Sequence, residues 1–312
     1  MDKALRMVRA GAGRRDRPVM LAIAGDSAAG KTTLTAGLVE ALGADRCVSL
    51  CVDDYHKYDR VERRSLPFTP LHPDCNYMEI MEQHLQLLAT GQPILKPVYD
   101  HGSGELVRPV LVEPREFVIV EGLLPLYSRL SRACFDVTVY LDPIEEIRRE
   151  WKIRRDTSKR GYTREQVIAE MDRRVPESDE FIRPQRASAD IVVQFSPIQG
   201  RDDPPDTPLS AELLLRPTIR HPDLAAVLGP STRWTMHLKL ERDENGRPVD
   251  ALHVHGYAAR EETRVVEKAI WSSLGEAGEA PACLGTLGEG VRSEPLAITQ
   301  LLLLYHMLDA AR

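Results

Sequence analysis

The chain has 312 residues, 43% of them hydrophobic and 28% charged, with a net charge of −6. That length buries a full core in one large or two modest domains. The acidic balance excludes a global basic field for nucleic acid or an anionic membrane surface. No apolar run approaches the ~20 residues of a membrane-spanning helix; the strongest, "LLLLY" at 301–305, is short. The N-terminal "MDKALRMVRAGAGRRDRP" is basic without an apolar centre, and residues 1–17 read as a flexible tail rather than a secretory peptide. Five cysteines, at 47, 51, 75, 134 and 283, form no CxxC and no metal-ligand spacing. Such scattered cysteines point to reduced thiols and a cytoplasmic setting.

Strand and helix patterns alternate through the first two-thirds. "VMLAIAG" (19–25) predicts a buried strand, and "GKTTLTAGLVEAL" a helix with Leu34, Leu38 and Leu42 on one stripe. "CVSLCV" (47–52) predicts a second buried strand, "EIMEQHLQLLATG" (79–91) a helix ending in glycine, and "FVIVEG" (117–122) a third strand. "VTVYLD" (137–142) is a fourth strand, "IEEIRREWKIRRDTSKRG" and "TREQVIAEMDRR" are helices, and "ADIVVQF" (189–195) closes the series. This order predicts an α/β fold, a mostly parallel sheet with helices on both faces, over residues 18–200. "SPIQGRDDPPDTP" (196–208), with four prolines and three aspartates, reads as a connection. Beyond it, residues 209–312 read as an α+β extension packed on that sheet: a hairpin turning at Asn245-Gly246, then helices near 260–275 and 294–310.

"GDSAAGKTT" (25–33) fits G-x-x-x-x-G-K-[ST] after an apolar strand and before a helix, the placement its chemistry requires. Gly25, Asp26, Ser27, Ala28, Ala29 and Gly30 would wrap a phosphate with backbone N–H groups, helped by the helix N-terminus. Lys31 would reach the β- and γ-phosphates, the Thr32 hydroxyl would ligate Mg²⁺, and Thr33 completes the loop. The motif predicts nucleoside triphosphate binding without naming a reaction. A GTPase switch is disfavoured because no N/T-K-x-D motif occurs.

Transfer to a small molecule needs a base near the acceptor hydroxyl and cations to offset phosphoryl charge. Asp53, Asp54 and Glu121 fall at strand ends, where open parallel sheets bind ligands. Strand parity would put Asp53 and Asp54 on opposite faces, both of them covered, so parity does not choose between them. Residues 141–186 carry ten Arg and two Lys against eleven acids. They offer phosphate-gripping guanidinium groups and, equally, partners for helix-surface ion pairs.

"GDSAAGKTT", "VDDYHKYDR", "KPVYDHGSG", "VIVEGLLPLY", "WKIRRDTSKRGYT" and "FIRPQR", in this order, resemble the phosphoribulokinase/uridine kinase family of P-loop kinases, and the resemblance spans nearly the whole chain. Residues 250–272 and "SEPLAITQLLLLYHML" resemble the C-terminal region of the family's plant and cyanobacterial members, a region its nucleoside kinases lack. The resemblance implies ATP- and Mg²⁺-dependent phosphorylation of ribulose 5-phosphate at its C1 hydroxyl, the product being ribulose 1,5-bisphosphate. It assigns Asp53 as the base and Glu121 as the second essential acid, with Thr32, Glu121 and Asp53 around the metal. It puts His56 and Arg60 on the sugar phosphate and Tyr99 and His101 near the acceptor. Lys152, Arg155, Asp156, Arg160, Arg173 and Arg174 match positions for phosphate binding and transfer. Lys152 and Arg155 also share a helix face, and Arg160 begins the turn that ends in glycine. The competing readings are a uridine or cytidine kinase, another sugar-phosphate kinase, and a nucleotide-binding regulator without transfer activity.

Plant members carry a regulatory cysteine pair. Cys51 matches its second position, but Ala29 or a near neighbour stands at the first, so that disulfide is not expected and Cys51 reads as a small core side chain. His253 and His255 share a strand face without a third ligand and read as partly exposed sheet histidines. Tyr58 reads as packing, while Tyr55 could pack or line the acceptor pocket. The hairpin in 231–257 offers an edge strand through which two copies could pair as a dimer.

Overall fold

All seven residues of β1 (Val19–Gly25) are buried, as a central strand covered on both faces requires. The structure, a computed structural model, describes residues 17–198, 207–228, 235–276, 278–288 and 290–312. The expected N-terminal tail, apart from Arg17, and residues 199–206 of the proline-rich connection lie outside the described residues. The chain divides into two compact units that are not consecutive in sequence: Arg17–Lys31 with Val48–Ala189, and Thr32–Cys47 with Asp190–Arg312.

In the first unit β1 pairs in parallel with β5 (Phe117–Gly122), Ile23 opposite Glu121, and with β6 (Val137–Leu141), Ile23 opposite Val139. β2 (Cys47–Cys51) lies beyond β5. It is not the fully buried strand its composition suggests: Cys47 and Leu50 are buried while Ser49 is exposed, the half-covered pattern of a border strand. Helix α2 (Met78–Ala89) turns Met81, Leu85 and Leu88 onto Met20, Val118 and Val120, each buried leucine contributing about 1.5–3 kcal/mol. Strands β3 (Ile94–Tyr99) and β4 (Leu106–Val112) form a separate antiparallel hairpin. Pro97 and Pro109 mask it in the sequence, because proline reads as a strand breaker.

Two helices complete this unit, α3 (Glu145–Lys159) and α4 (Arg164–Glu177). A capping box starts α4: the Thr163 hydroxyl accepts from the Gln166 N–H, and the Gln166 side chain accepts from the Thr163 N–H. Pro176 removes a donor near the end of α4, and the chain widens into a π turn at Ser178–Ile182.

In the second unit α1 (Lys31–Leu42) buries the expected stripe of Leu34, Leu38 and Leu42. Strands run β7 (Ile191–Ser196), β8 (Ser210–Leu215), β10 (Pro248–Val254), β9 (Met236–Arg242), each pair antiparallel. The "ADIVVQF" strand pairs antiparallel with β8, a strand not foreseen from the sequence. The β9–β10 hairpin turns at Asn245-Gly246 as expected, with Gly246 at φ +74°. Helices α5 (Arg260–Ser273) and α6 (Glu294–Ala310) follow at the expected places. Pro295–Leu308 of α6 is buried throughout, and Gln300 donates to the Thr33 and Leu34 carbonyls of α1 and accepts from Gly285 N.

One close approach sets the geometry near the acids. Gly122 ends β5 at φ +153°, and an added Cβ would stand 2.0 Å from Val52 Cγ2 and 3.2 Å from Val52 N. Gly122→Ala is therefore expected to destabilise the protein by about 1–3 kcal/mol through overpacking and to lower kcat by moving the turn after Val52. A denaturation midpoint and a rate for the variant check both outcomes.

Candidate active site

The loop after β1 is held by its own polar groups. Gly30 has φ +95° and Ala28 the unusual non-glycine value of +65°. The Lys31 ammonium donates to Gly25 O and Asp26 O, each at 2.8 Å, folding back over the loop. Asp26 is buried, and its carboxylate accepts from Ser27 N and from Ser178 Oγ, both at 2.6 Å. Arg148 donates to Ser27 O at 3.1 Å. The Asp26 side chain is thus turned to protein partners and shapes the loop.

β2 ends at Cys51, and Val52–Tyr55 is a short 3-10 turn, so strand parity does not govern Asp53 and Asp54. Tertiary partners separate them. Asp54 pairs with the Lys96 ammonium and accepts the Tyr99 N–H at 3.1 Å. Asp53 Oδ1 is buried and has no hydrogen-bond partner among the described residues. Burial, with the charges of Asp53, Glu121 and Asp54, pushes the Cys51 thiol well up; it is not a thiolate nucleophile. Glu121, half-buried at the end of β5, belongs to the same charge group. Among the described residues none of the five cysteines forms a disulfide.

His56 is buried, and its Nδ1 lies 2.6 Å from Asn76 Oδ1. Burial lowers its pKa to about 4 against the opposing pull of Asp53. The Tyr99 ring meets His56 and His101 edge-on, at 5.0 and 5.1 Å between centroids. Arg60, expected on the sugar phosphate, donates to His101 O at 2.6 Å and Gly102 O at 3.3 Å and so ties down the turn that carries His101. Arg63, not singled out in the sequence, bonds Tyr99 Oη and lies 4.6 Å over its ring. Its Nη1 is buried with no hydrogen-bond partner among the described residues. Only tertiary structure distinguishes the two arginines, three residues apart in one polar loop. Tyr55 packs and bonds His84 Nδ1 at 3.0 Å, and Tyr58 packs near Phe68.

A third group comes from α3. Lys152 Nζ is buried 2.8 Å from Asp156 Oδ2 and 3.5 Å from Ser27 Oγ. Arg155 reaches Asp156 Oδ1 at 2.8 Å and Ser27 Oγ at 3.4 Å, and Arg160 stands 3.6 Å from the same carboxylate. Burial, then the Arg174 charge, lowers the Lys152 pKa to about 8. Burial alone would raise Asp156, but the bonds from Arg155 and Lys152 outweigh it and hold the carboxyl at about 2. Asp156 therefore pairs with three cations, two of which, Lys152 and Arg155, also reach Ser27 of the phosphate loop. Arg174 is paired with Glu170 and remains in the field of Lys152, whereas Arg173 is half-exposed, turned to Glu170, and not brought to the site. Asp53 is an electrostatic neighbour of His56, His101 and Arg160, which draws the acid, the turn that carries His101 and the C-terminal end of α3 into one region.

Elsewhere, His253 lies between His237 (4.8 Å) and His255 (6.4 Å). Among the described residues no group of three or more His, Cys, Asp or Glu side chains could hold a metal ion, and no helix is long and apolar enough to cross a membrane.

A buried parallel strand, a loop that wraps its own lysine, a following helix and a cation-lined strand end define a P-loop nucleotide site of the kinase kind. The model of the Phosphoribulokinase / Uridine kinase family matches residues 20–200, and the chain belongs to that family. A phosphoribulokinase of Synechocystis sp. is 38% identical over 205 residues, 66% of this chain and 62% of that protein. The chloroplastic phosphoribulokinase of Triticum aestivum is 31% identical over 223 residues, 66% of this chain and 55% of that protein. A uridine kinase of Anoxybacillus flavithermus is 34% identical over 190 residues, 57% of this chain and 87% of that protein. The matched chain spans less than two thirds of the phosphoribulokinases' own length, and the sequence similarity falls short of the nearly whole-chain resemblance expected. The solved phosphoribulokinase from Rhodobacter spheroides shares the fold, with a TM-score of 0.58 over 80% of this chain and 94% of that one, at 17% identity.

Proposed function

We propose that the protein transfers the γ-phosphoryl group of ATP to the C1 hydroxyl of D-ribulose 5-phosphate, giving D-ribulose 1,5-bisphosphate. The observation that carries this reading is the contrast between two adjacent acids, Asp54 committed to Lys96 and Tyr99, and Asp53 with a buried, unpartnered oxygen. A buried carboxylate oxygen without a protein partner is explained by a ligand, a water or an ion. In this reading Asp53 takes the C1 hydroxyl proton and Arg63 pairs with the acceptor's phosphate through its buried Nη1. Lys31 and the loop amides hold the nucleotide, and Lys152 and Arg155 offset charge on the group in transit. Arg60 and Asp156 act as positioning residues through the bonds described above.

Asp53 and Glu121, which act together on the Cys51 thiol, would hold Mg²⁺. The chain fits that ion because Mg²⁺ is bound through one or two carboxylates, with phosphates and water supplying the rest, so three clustered acids are not required. When bound, it neutralises charge on the nucleotide phosphates. We further infer a cytoplasmic enzyme, from its scattered cysteines, and a homodimer paired through β9, whose residues Lys239–Arg242 are exposed at the border of its sheet.

A uridine or cytidine kinase is the second reading, favoured by a uridine kinase relative that matches along 87% of its length. ADP release with ATP, Mg²⁺ and a panel of ribulose 5-phosphate, uridine, cytidine and pantothenate separates the readings. Turnover with ribulose 5-phosphate alone supports the proposal, and turnover with a nucleoside alone overturns it. ATP binding without turnover on any acceptor indicates a regulator.

A further inference from the structure

The segments around His56 and Asn76 meet as a short antiparallel bridge: Lys57 N donates to Cys75 O at 2.9 Å and Tyr77 N to Tyr55 O at 2.8 Å. Between those bonds lies the buried pair His56–Asn76. The Asn76 amide has its orientation fixed, since Nδ2 donates to Pro70 O at 3.1 Å and to His72 O at 2.9 Å. Two carbonyls can only accept, so the nitrogen must face them and Oδ1 must face the imidazole, 2.6 Å from Nδ1. An amide oxygen can only accept as well, so the proton of that bond sits on His56 Nδ1. In a neutral ring Nε2 then carries a lone pair. Burial favours the neutral ring. No protein hydrogen bond reaches Nε2 among the described residues.

We propose that Asn76 is a positioning residue that fixes His56 as a hydrogen-bond acceptor, so that His56 Nε2 takes the O–H of an acceptor hydroxyl. This assigns His56 a different partner from the phosphate that the sequence suggested. An ionised phosphate has no proton to give, and a neutral imidazole with its lone pair outward has none to offer it. A polyhydroxylated acceptor matches such a group, and its anionic end falls instead to the guanidinium of Arg63. The inference rests on the proposed reading only for the identity of the acceptor; the tautomer follows from Asn76 alone.

The test begins with nitrogen-15 labelling of the histidines in the full chain and long-range proton–nitrogen correlation at neutral pH, with the His56 signals assigned from their loss in His56→Gln. The expected result is a protonated Nδ1 and an unprotonated Nε2. A proton on Nε2 overturns the proposal whatever the substrate proves to be. Steady-state kinetics with ribulose 5-phosphate supply the second arm. His56→Asn keeps a group facing Asn76 and loses the Nε2 position, so its KM for the acceptor should rise by about tenfold or more, as loss of a buried hydrogen bond implies, with KM for ATP unmoved. His56→Gln, whose amide oxygen reaches the Nε2 position, should recover part of that loss. An unchanged acceptor KM in His56→Asn, or equal rises in both variants, overturns the hydroxyl contact. Absent turnover of ribulose 5-phosphate by the wild type, with the tautomer as expected, would instead count against the proposed substrate.

Discussion

Asp53→Asn is expected to lower kcat by two to four orders of magnitude, roughly the range of general-base effects. The asparagine keeps the shape of the 3-10 turn at Val52–Tyr55 and removes the proton acceptor. Asp54→Asn should behave differently. It leaves the buried Lys96 ammonium without its anion while keeping an oxygen for the Tyr99 N–H. That variant should lose about 1–3 kcal/mol of stability and keep most of its rate at a temperature where it is folded. Paired measurements of kcat and denaturation midpoint check the contrast. A large kcat loss in Asp54→Asn with an unaffected Asp53→Asn would mean that the neighbouring acid is the base.

The second large effect concerns Lys152 and Asp156. An ammonium with a pKa of about 8 is charged below that pH and loses its charge above it, so kcat/KM should fall as pH rises through about 8. Lys152→Arg keeps the cation at all accessible pH and should remove this alkaline limb. Asp156→Asn removes the carboxylate that opposes burial of the ammonium, leaving burial and Arg174 to drive the proton off. Its alkaline limb should therefore move below that of the wild type, with a rate loss at neutral pH of about tenfold or more, each decade being about 1.4 kcal/mol of lost transition-state stabilisation. Stability has its own sign. A carboxyl held at about 2 against an ordinary 3.8 stabilises the fold above that ordinary value, and the contribution is lost as pH falls toward 2. Asp156→Asn should flatten that acid dependence. An unmoved alkaline limb in both variants would exclude Lys152 as the titrating group.

How far the sequence reaches can be judged from particular residues. The β1–loop–α1 segment was legible because its motif works only between a strand and a helix, and the chain supplies both within residues 19–42. The Asn-Gly hairpin and the last two helices were legible for the same reason, since local turn chemistry and periodicity decide them. The β3–β4 hairpin was hidden by its own prolines, and β8 by a position just beyond a segment that resembles a linker. The choice between Asp53 and Asp54 was closed to strand logic because the strand stops at Cys51. What separates the two acids physically is Lys96, 42 residues further along the chain, which pairs with Asp54. Arg60 and Arg63 differ only in what the fold brings to each: backbone carbonyls for one, an aromatic ring and an unsatisfied nitrogen for the other. Asn76 carries no sequence signal, because its effect lies in the direction of one hydrogen bond.

The most direct test of the account is the product itself. Purified protein with ATP, Mg²⁺ and ribulose 5-phosphate, followed by phosphorus NMR, should show ADP and a sugar with two phosphomonoester resonances, the new one coupled to the C1 methylene protons. Inorganic phosphate as the only new species besides ADP, or a new ester formed only when a nucleoside is supplied, would contradict it.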